Sequence, residues 1–168
     1  QTPTVTPSPT YTSTPVPWPD LSASSKLAWP TAISYHQSIT YNISLRNTGS
    51  QAQVNLVDAP PLPYIPESAW GGLWWDTSTQ TLRWQGSMAR GDTHLFGYRL
   101  AGPSACVQPG TVLTNTLTID DGYHPPFERS AQVIVDPGPT PWALCTATPT
   151  VTAPPVLLHR FLPLILQH

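Results

Sequence analysis

The sequence predicts an all-β fold: a two-layered antiparallel sandwich over residues 20–136, flanked by two segments of another kind. Three observations lead there. Apolar and polar residues alternate in short runs of period two, and no stretch keeps the period of an amphipathic helix. Gly, Pro, Asn and Asp separate the runs, as turns require. The prolines, 22 in 168 residues, gather toward the two ends and mark those ends as non-globular.

The elements follow in order. Residues 1–19, "QTPTVTPSPTYTSTPVPWP", hold six Pro and six Thr. Proline has no amide donor and fixes φ, so this tract is expected to be extended and polyproline-like. Thr or Ser beside Pro also reads as an O-glycosylation acceptor, here Thr2, Thr4, Thr6, Ser8, Thr10, Thr12, Ser13 and Thr14. A first strand is expected in "LSASSKLAW" (21–29). "SITYNISLRN" (38–47) alternates cleanly, with Ile39, Tyr41, Ile43 and Leu45 on one face. "NTGS" turns the chain into "AQVNLVD" (52–58), which puts Val54 and Leu56 inward. A long Pro- and Trp-rich connection leads to "TLRWQ" (81–85) and "THLFGYRL" (93–100). "TVLTNTLTID" (111–120) groups Leu113, Asn115, Leu117 and Ile119, and "RSAQVIVD" (129–136) groups Ala131, Val133 and Val135. Seven strands at this spacing predict an antiparallel β-sandwich of immunoglobulin-like type.

The same blocks resemble a family. "DLSASSK" (20–26), "SITYNISLRNTG" (38–49) and "GTVLTNTLTI" (110–119) are similar to the immunoglobulin-like repeat domains of bacterial and archaeal surface proteins catalogued as domain-of-unknown-function family eleven. The resemblance covers about residues 20–136, and "SAWGGLWWDTSTQTLRW" (68–84) departs from it in its wealth of Trp. It implies an extracellular stalk, adhesin or coat component, and it transfers no catalytic residue.

Composition narrows the function classes. Charged residues make up 10% of the chain, the formal charge is −2, and Lys26 is the single lysine. Nothing in that charge distribution neutralises phosphates, so nucleic acid is not an expected partner. His36, His94, His124, His159 and His168 are scattered without metal-ligand spacing. No nucleophile elbow, phosphate loop or acid–base carboxylate pair declares itself, and neither an enzyme nor a cofactor is expected. No basic region followed by an apolar core opens the sequence, so the chain is either cytosolic or exported with its signal peptide removed; scarce Lys, abundant Thr and Ser and the Thr/Pro tract favour the second, an extracellular or cell-surface protein.

In a seven-stranded up-and-down course, odd-numbered links share one pole of the sandwich with the exit of the last strand. "AGPSACVQPG" is such a link, and Cys145 lies nine residues beyond that exit. A Cys106–Cys145 disulfide is therefore predicted, contributing about 3–4 kcal/mol by loop closure and implying an oxidising compartment. The N-terminal tract falls at the opposite pole.

Residues 137–155 read as a Pro/Thr-rich linker, with Thr146, Thr148, Thr150 and Thr152 as further O-glycosylation candidates. Residues 156–168 begin "VLLHRFLPLIL", too short for a bilayer, which needs ~20 apolar residues. Pro163 argues against a helix there. Drawn as a strand, the segment shows Leu158, Leu162, Leu164 and Leu166 on one face and Leu157, Phe161 and Ile165 on the other. Apolar on both faces is the pattern of a strand buried on two sides. The sequence thus predicts a structural subunit that polymerises head to tail with copies of itself, each C-terminal strand entering the neighbour's sandwich. The alternative is a monomeric adhesin or carbohydrate-binding module whose C-terminal segment folds on its own domain or serves as an anchor.

Trp70, Trp74 and Trp75, with Trp84 nearby, are the candidates for stacking on a polysaccharide; the plainer role for them is capping the sandwich. "DDGYHPPFE" (120–128) brings Asp120, Asp121 and Glu128 to one tip, but the spacing matches no calcium loop and Asp-Gly is a turn signal. Asn42-Ile43-Ser44 fits the N-glycosylation rule on an outward position.

Overall fold

The computed structural model describes residues 18–104 and 106–136. Residues 1–17, Cys145, Thr146 to Thr152 and the apolar segment 156–168 lie outside the described residues, and with them the O-glycosylation, linker and donor-strand expectations. No helix occurs among the described residues. Their nine strands are β1 (Ser25–Trp29), β2 (Ala32–Ile33), β3 (Ile39–Arg46), β4 (Ala52–Ala59), β5 (Trp74–Asp76), β6 (Thr81–Met88), β7 (Thr93–Leu100), β8 (Val112–Asp120) and β9 (Phe127–Val135). They form a three-stranded sheet, β1-β3-β7, packed on a six-stranded sheet, β2-β9-β8-β4-β6-β5. With β1, β3 and β7 in one layer and β9, β8 and β4 in the other, the framework is that of an immunoglobulin-like sandwich.

Two strands depart from the seven expected. Pro30 has no N–H to continue the β1 ladder, and beyond it the chain changes sheet. The two residues of β2 then pair with β9 in parallel, Ala32 opposite Ile134 and Ile33 opposite Val135, so the larger sheet is mixed rather than wholly antiparallel. The other addition, β5, pairs with β6 at the sheet's far edge, inside the stretch whose Pro and Trp content hides a three-residue strand. The first strand also starts later than expected, because residues 21–24 form a turn closed by Ser24 N donating to Leu21 O (3.0 Å).

The core is what the period-two pattern dictates. Ile39, Tyr41, Ile43 and Leu45 of β3, with Phe96 and Tyr98 beside them on β7, face Val54 and Leu56 of β4 and Leu117 and Ile119 of β8 in the other sheet, all essentially without solvent contact. The long connection after β4 runs along the outer edge of β7: Ile65 N donates to Arg99 O (3.0 Å) and Trp70 N to Gly97 O (2.9 Å). That edge is therefore covered by the domain's own chain.

Asn47 organises one pole. Fully buried, it accepts from Asp20 N (3.2 Å) and Gly49 N (3.0 Å) and donates to Ser50 O (2.6 Å) and Met88 O (3.0 Å). Gly49 must lack a side chain there, since a Cβ would lie 2.1 Å from Trp18 O. Trp18 enters at this pole, accepting from Ser50 N (3.0 Å) and meeting the ring of Tyr123 at 5.8 Å. The last strand leaves at the other pole, where Val135 O accepts from Gly110 N (2.8 Å) in the β7–β8 link. Entry and exit thus lie at opposite ends, as the strand count implied.

Asn47→Ala leaves several buried backbone groups without partners, at about 1–3 kcal/mol each. Urea denaturation is expected to show a large loss of stability, and a change near zero would remove Asn47 from this role. At the same pole, hydrogen bonds from Ser22 and Thr48 hold the Asp20 carboxyl at about 2. A carboxyl lowered in the folded state binds fewer protons there than in the unfolded chain, so its contribution is present above the unfolded value and is lost as pH falls. Stability is expected to drop between about pH 4 and pH 2, and the drop is expected to be shallower in Asp20→Asn when melting is followed against pH.

Candidate functional site

Midway between the sheets the apolar core is interrupted. The three-stranded sheet contributes Lys26 from β1, Tyr41 from β3 and Tyr98 from β7; the six-stranded sheet contributes Asp58 from β4 and Asn115 from β8. Strand alternation puts each there: Lys26 is in phase with Ala28, Asp58 with Val54 and Leu56, and Asn115 with Leu117 and Ile119. Lys26 Nζ lies 2.6 Å from Asp58 Oδ2, with both side chains wholly out of solvent. The Tyr98 hydroxyl donates to the same oxygen at 2.6 Å and accepts from Asn115 Nδ2 at 2.6 Å. The Tyr41 and Tyr98 rings stack at 5.4 Å, and the lysine ammonium lies 5.2 Å and 5.9 Å from their centroids.

Burial governs the charges. It pushes the Lys26 amine down to about 8, although the Asp58 carboxylate pulls the other way. It pushes the Asp58 carboxyl up, against the Lys26 charge and the hydrogen bonds from Lys26 and Tyr98. Both members are driven toward their neutral forms, as desolvation requires. The Tyr41 hydroxyl rises to about 12 for the same reason. Hydrogen bonding is incomplete: Tyr41 Oη, Asp58 Oδ1 and Asn115 Oδ1 are buried without partners. A buried cluster with free valences of this kind is costly to keep and marks chemistry or strong constraint.

The aromatic candidates are dispersed. Trp75 stacks on Tyr64 at 4.9 Å, and Trp84 meets Phe96 edge-on at 5.2 Å. Trp70 lies over Gly97, where a Cβ would stand 2.3 Å from its Nε1. Trp74, 52% exposed, faces outward in register with Arg83. Trp75 is thus half-buried against the core, while Trp70, 46% exposed, keeps one side over Gly97 and the other toward solvent.

At the 120–128 tip the carboxylates close the turn. Asp121 accepts from the backbone of Tyr123 (2.9 Å) and His124 (2.8 Å) and contacts His124 Nδ1 at 2.8 Å, while Asp120 accepts from Gly122 N (2.8 Å). Among the described residues no group of three or more His, Cys, Asp or Glu is arranged to hold a metal ion. A groove of about 510 Å³ beside this tip is lined by Pro19, Leu21, Phe127 and Arg129 among others. Asn42 is exposed on β3, as the alternation predicts. Cys106 stands in the β7–β8 link, beside the exit of β9; its expected partner, Cys145, is outside the described residues.

The cluster at Lys26 was not among the residues singled out from the sequence. The signal was present: three polar residues in the inward phase of three apolar strands.

No family model matches the chain, and no curated protein does. Among solved structures it is similar to the major pilin subunit BcpA of Bacillus cereus, at 11% identity and TM-score 0.45, over 68% of this chain and 40% of that one. It is similar to the bacterial hydrophobin BslA at 14% identity and TM-score 0.45, over 68% and 95% of the two chains. The CARDB domain of a Pyrococcus furiosus protein, solved with di-metal ions, aligns at 14% identity and TM-score 0.41, over 70% and 88%. The alignment therefore spans well under half of the pilin chain. At these identities and TM-scores the likeness transfers no residue, ligand or activity.

Tyr98→Phe deprives Asp58 and Asn115 of a shared partner, and each group so orphaned costs about 1–3 kcal/mol. Chemical denaturation is expected to register that loss with the fold intact by circular dichroism. A variant as stable as the parent would mean that the hydroxyl is not a structural link.

Proposed function

We propose that this chain is an extracellular structural module that joins end to end with copies of itself, the apolar segment 156–168 supplying a strand to a neighbour's sheet. One observation carries the reading: the chain enters the sandwich at the Trp18 pole and leaves it at the Val135 pole. A domain threaded lengthwise passes its partners on in a line, and donor and acceptor surfaces that differ give an open-ended assembly. The resemblance of residues 20–136 to surface-protein repeat domains supports an extracellular setting.

The acceptor is a sheet edge. The β7 edge is already covered and the β2 edge is only two residues long, while the sheets' other ends, β1 and β5, carry the exposed side chains Leu27, Trp29 and Trp74. Apolar edge strands of this kind are where an added strand gains both hydrogen bonds and burial. Deletion of 156–168 is expected to give monomers by sizing and electron microscopy, with filaments restored when the segment is supplied on an intact copy. Full-length protein that remains monomeric at every concentration would end this reading.

A further inference from the structure

The cluster between the sheets holds an amine, a carboxylate and a carboxamide, sealed from water. Lys26 Nζ touches Asp58, and the Tyr98 hydroxyl touches both Asp58 and Asn115. We infer that Lys26 and Asn115 become joined by an intramolecular amide, formed by the chain itself, with Asp58 moving the protons.

The bonds balance without any further reactant. Asp58 draws one proton from the Lys26 ammonium, and the freed lone pair forms a bond to Cγ of Asn115. A second proton from the same nitrogen passes to Nδ2, the Cγ–Nδ2 bond breaks, and ammonia leaves. The first proton departs with it as ammonium, and Asp58 is a carboxylate again. The relay has a path: Asp58, the Tyr98 hydroxyl and Asn115 Nδ2 are in one hydrogen-bonded chain with links of 2.6 Å.

Three features favour this step over an inert ion pair. Burial presses the amine toward the neutral form that a nucleophile needs, and it presses Asp58 toward holding a proton. Lys26, Asp58 and Asn115 sit on three different strands fixed by the core, and Asp58 and the Tyr98 hydroxyl bridge Lys26 to Asn115 through hydrogen bonds of 2.6 Å, so the groups are gathered in one water-free cluster. Asn115 Oδ1 has no hydrogen-bond partner, leaving the carbonyl free to take charge, and the equally unpartnered Tyr41 hydroxyl belongs to the same buried cluster. Asn115 rather than Asp58 is the acyl group because an ionised carboxylate is a poor electrophile and Asp58 is needed as the base. The inference does not rest on end-to-end assembly; it holds for an isolated domain.

Mass spectrometry of the full chain tests it. The expected result is a mass lower by one ammonia and, after reduction and trypsin, one branched species joining residues 1–46 to residues 100–129. Gln1 also loses ammonia when it cyclises, so the branched species decides. Asp58→Asn, shown folded by circular dichroism, is expected to be cut after its free Lys26 and to yield residues 1–26, 27–46 and 100–129 as separate peptides. Asn115→Asp is expected to lose water instead of ammonia at the same link. Separate peptides from the parent chain overturn the inference. A Lys26–Asp58 link with loss of water overturns the assignment of roles, as does a branched species from Asp58→Asn.

Discussion

Everything in the middle of this sandwich is arranged around one costly act, the removal of a lysine and an aspartate from water. Neither side chain keeps any solvent contact, and the penalty for stranding two charges in a medium of low dielectric is several kcal/mol per ion. Attraction at 2.6 Å offsets part of it. The Tyr98 hydroxyl and the stacked tyrosine rings supply more, and their positions follow from the need to surround an ammonium without water. The register of β3 against β7, Tyr41 opposite Tyr98, is tied to the same need. A slip of one residue between these strands would turn one of the two rings outward and uncover that side of the pair.

Much of the fold was legible because alternation is a local signal. β3, β4, β7, β8 and β9 could be read nearly to their ends, since each shows one apolar and one polar face. What escaped was set by contacts distant in sequence. The two residues of β2 become a strand only because β9 passes beside them, and β5 exists because β6 returns along it. The turn at 21–24 was absorbed into the first strand because "LSAS" carries no Gly or Pro to punctuate it.

The candidate site divides differently. Attention to Trp and to clustered acids led to residues that pack or close turns: Trp75 on Tyr64, Asp121 on the backbone of a tight loop. The cluster at Lys26 was written in the same alternation that revealed the strands, as a polar residue in an inward phase three times over. A lone lysine in a chain so poor in charge is informative when its strand neighbours point it into the core. Only the three-dimensional course shows that β1, β4 and β8 bring those exceptions to one place.

Because the first and last strands run from one pole to the other, tension applied at the two ends would act along the strands rather than across them. The ladder between β1 and β3, and that between β8 and β9, would then be loaded in shear, all rungs together, instead of being peeled rung by rung. A material built from such units would resist stretching through its geometry before any single bond in it is strong.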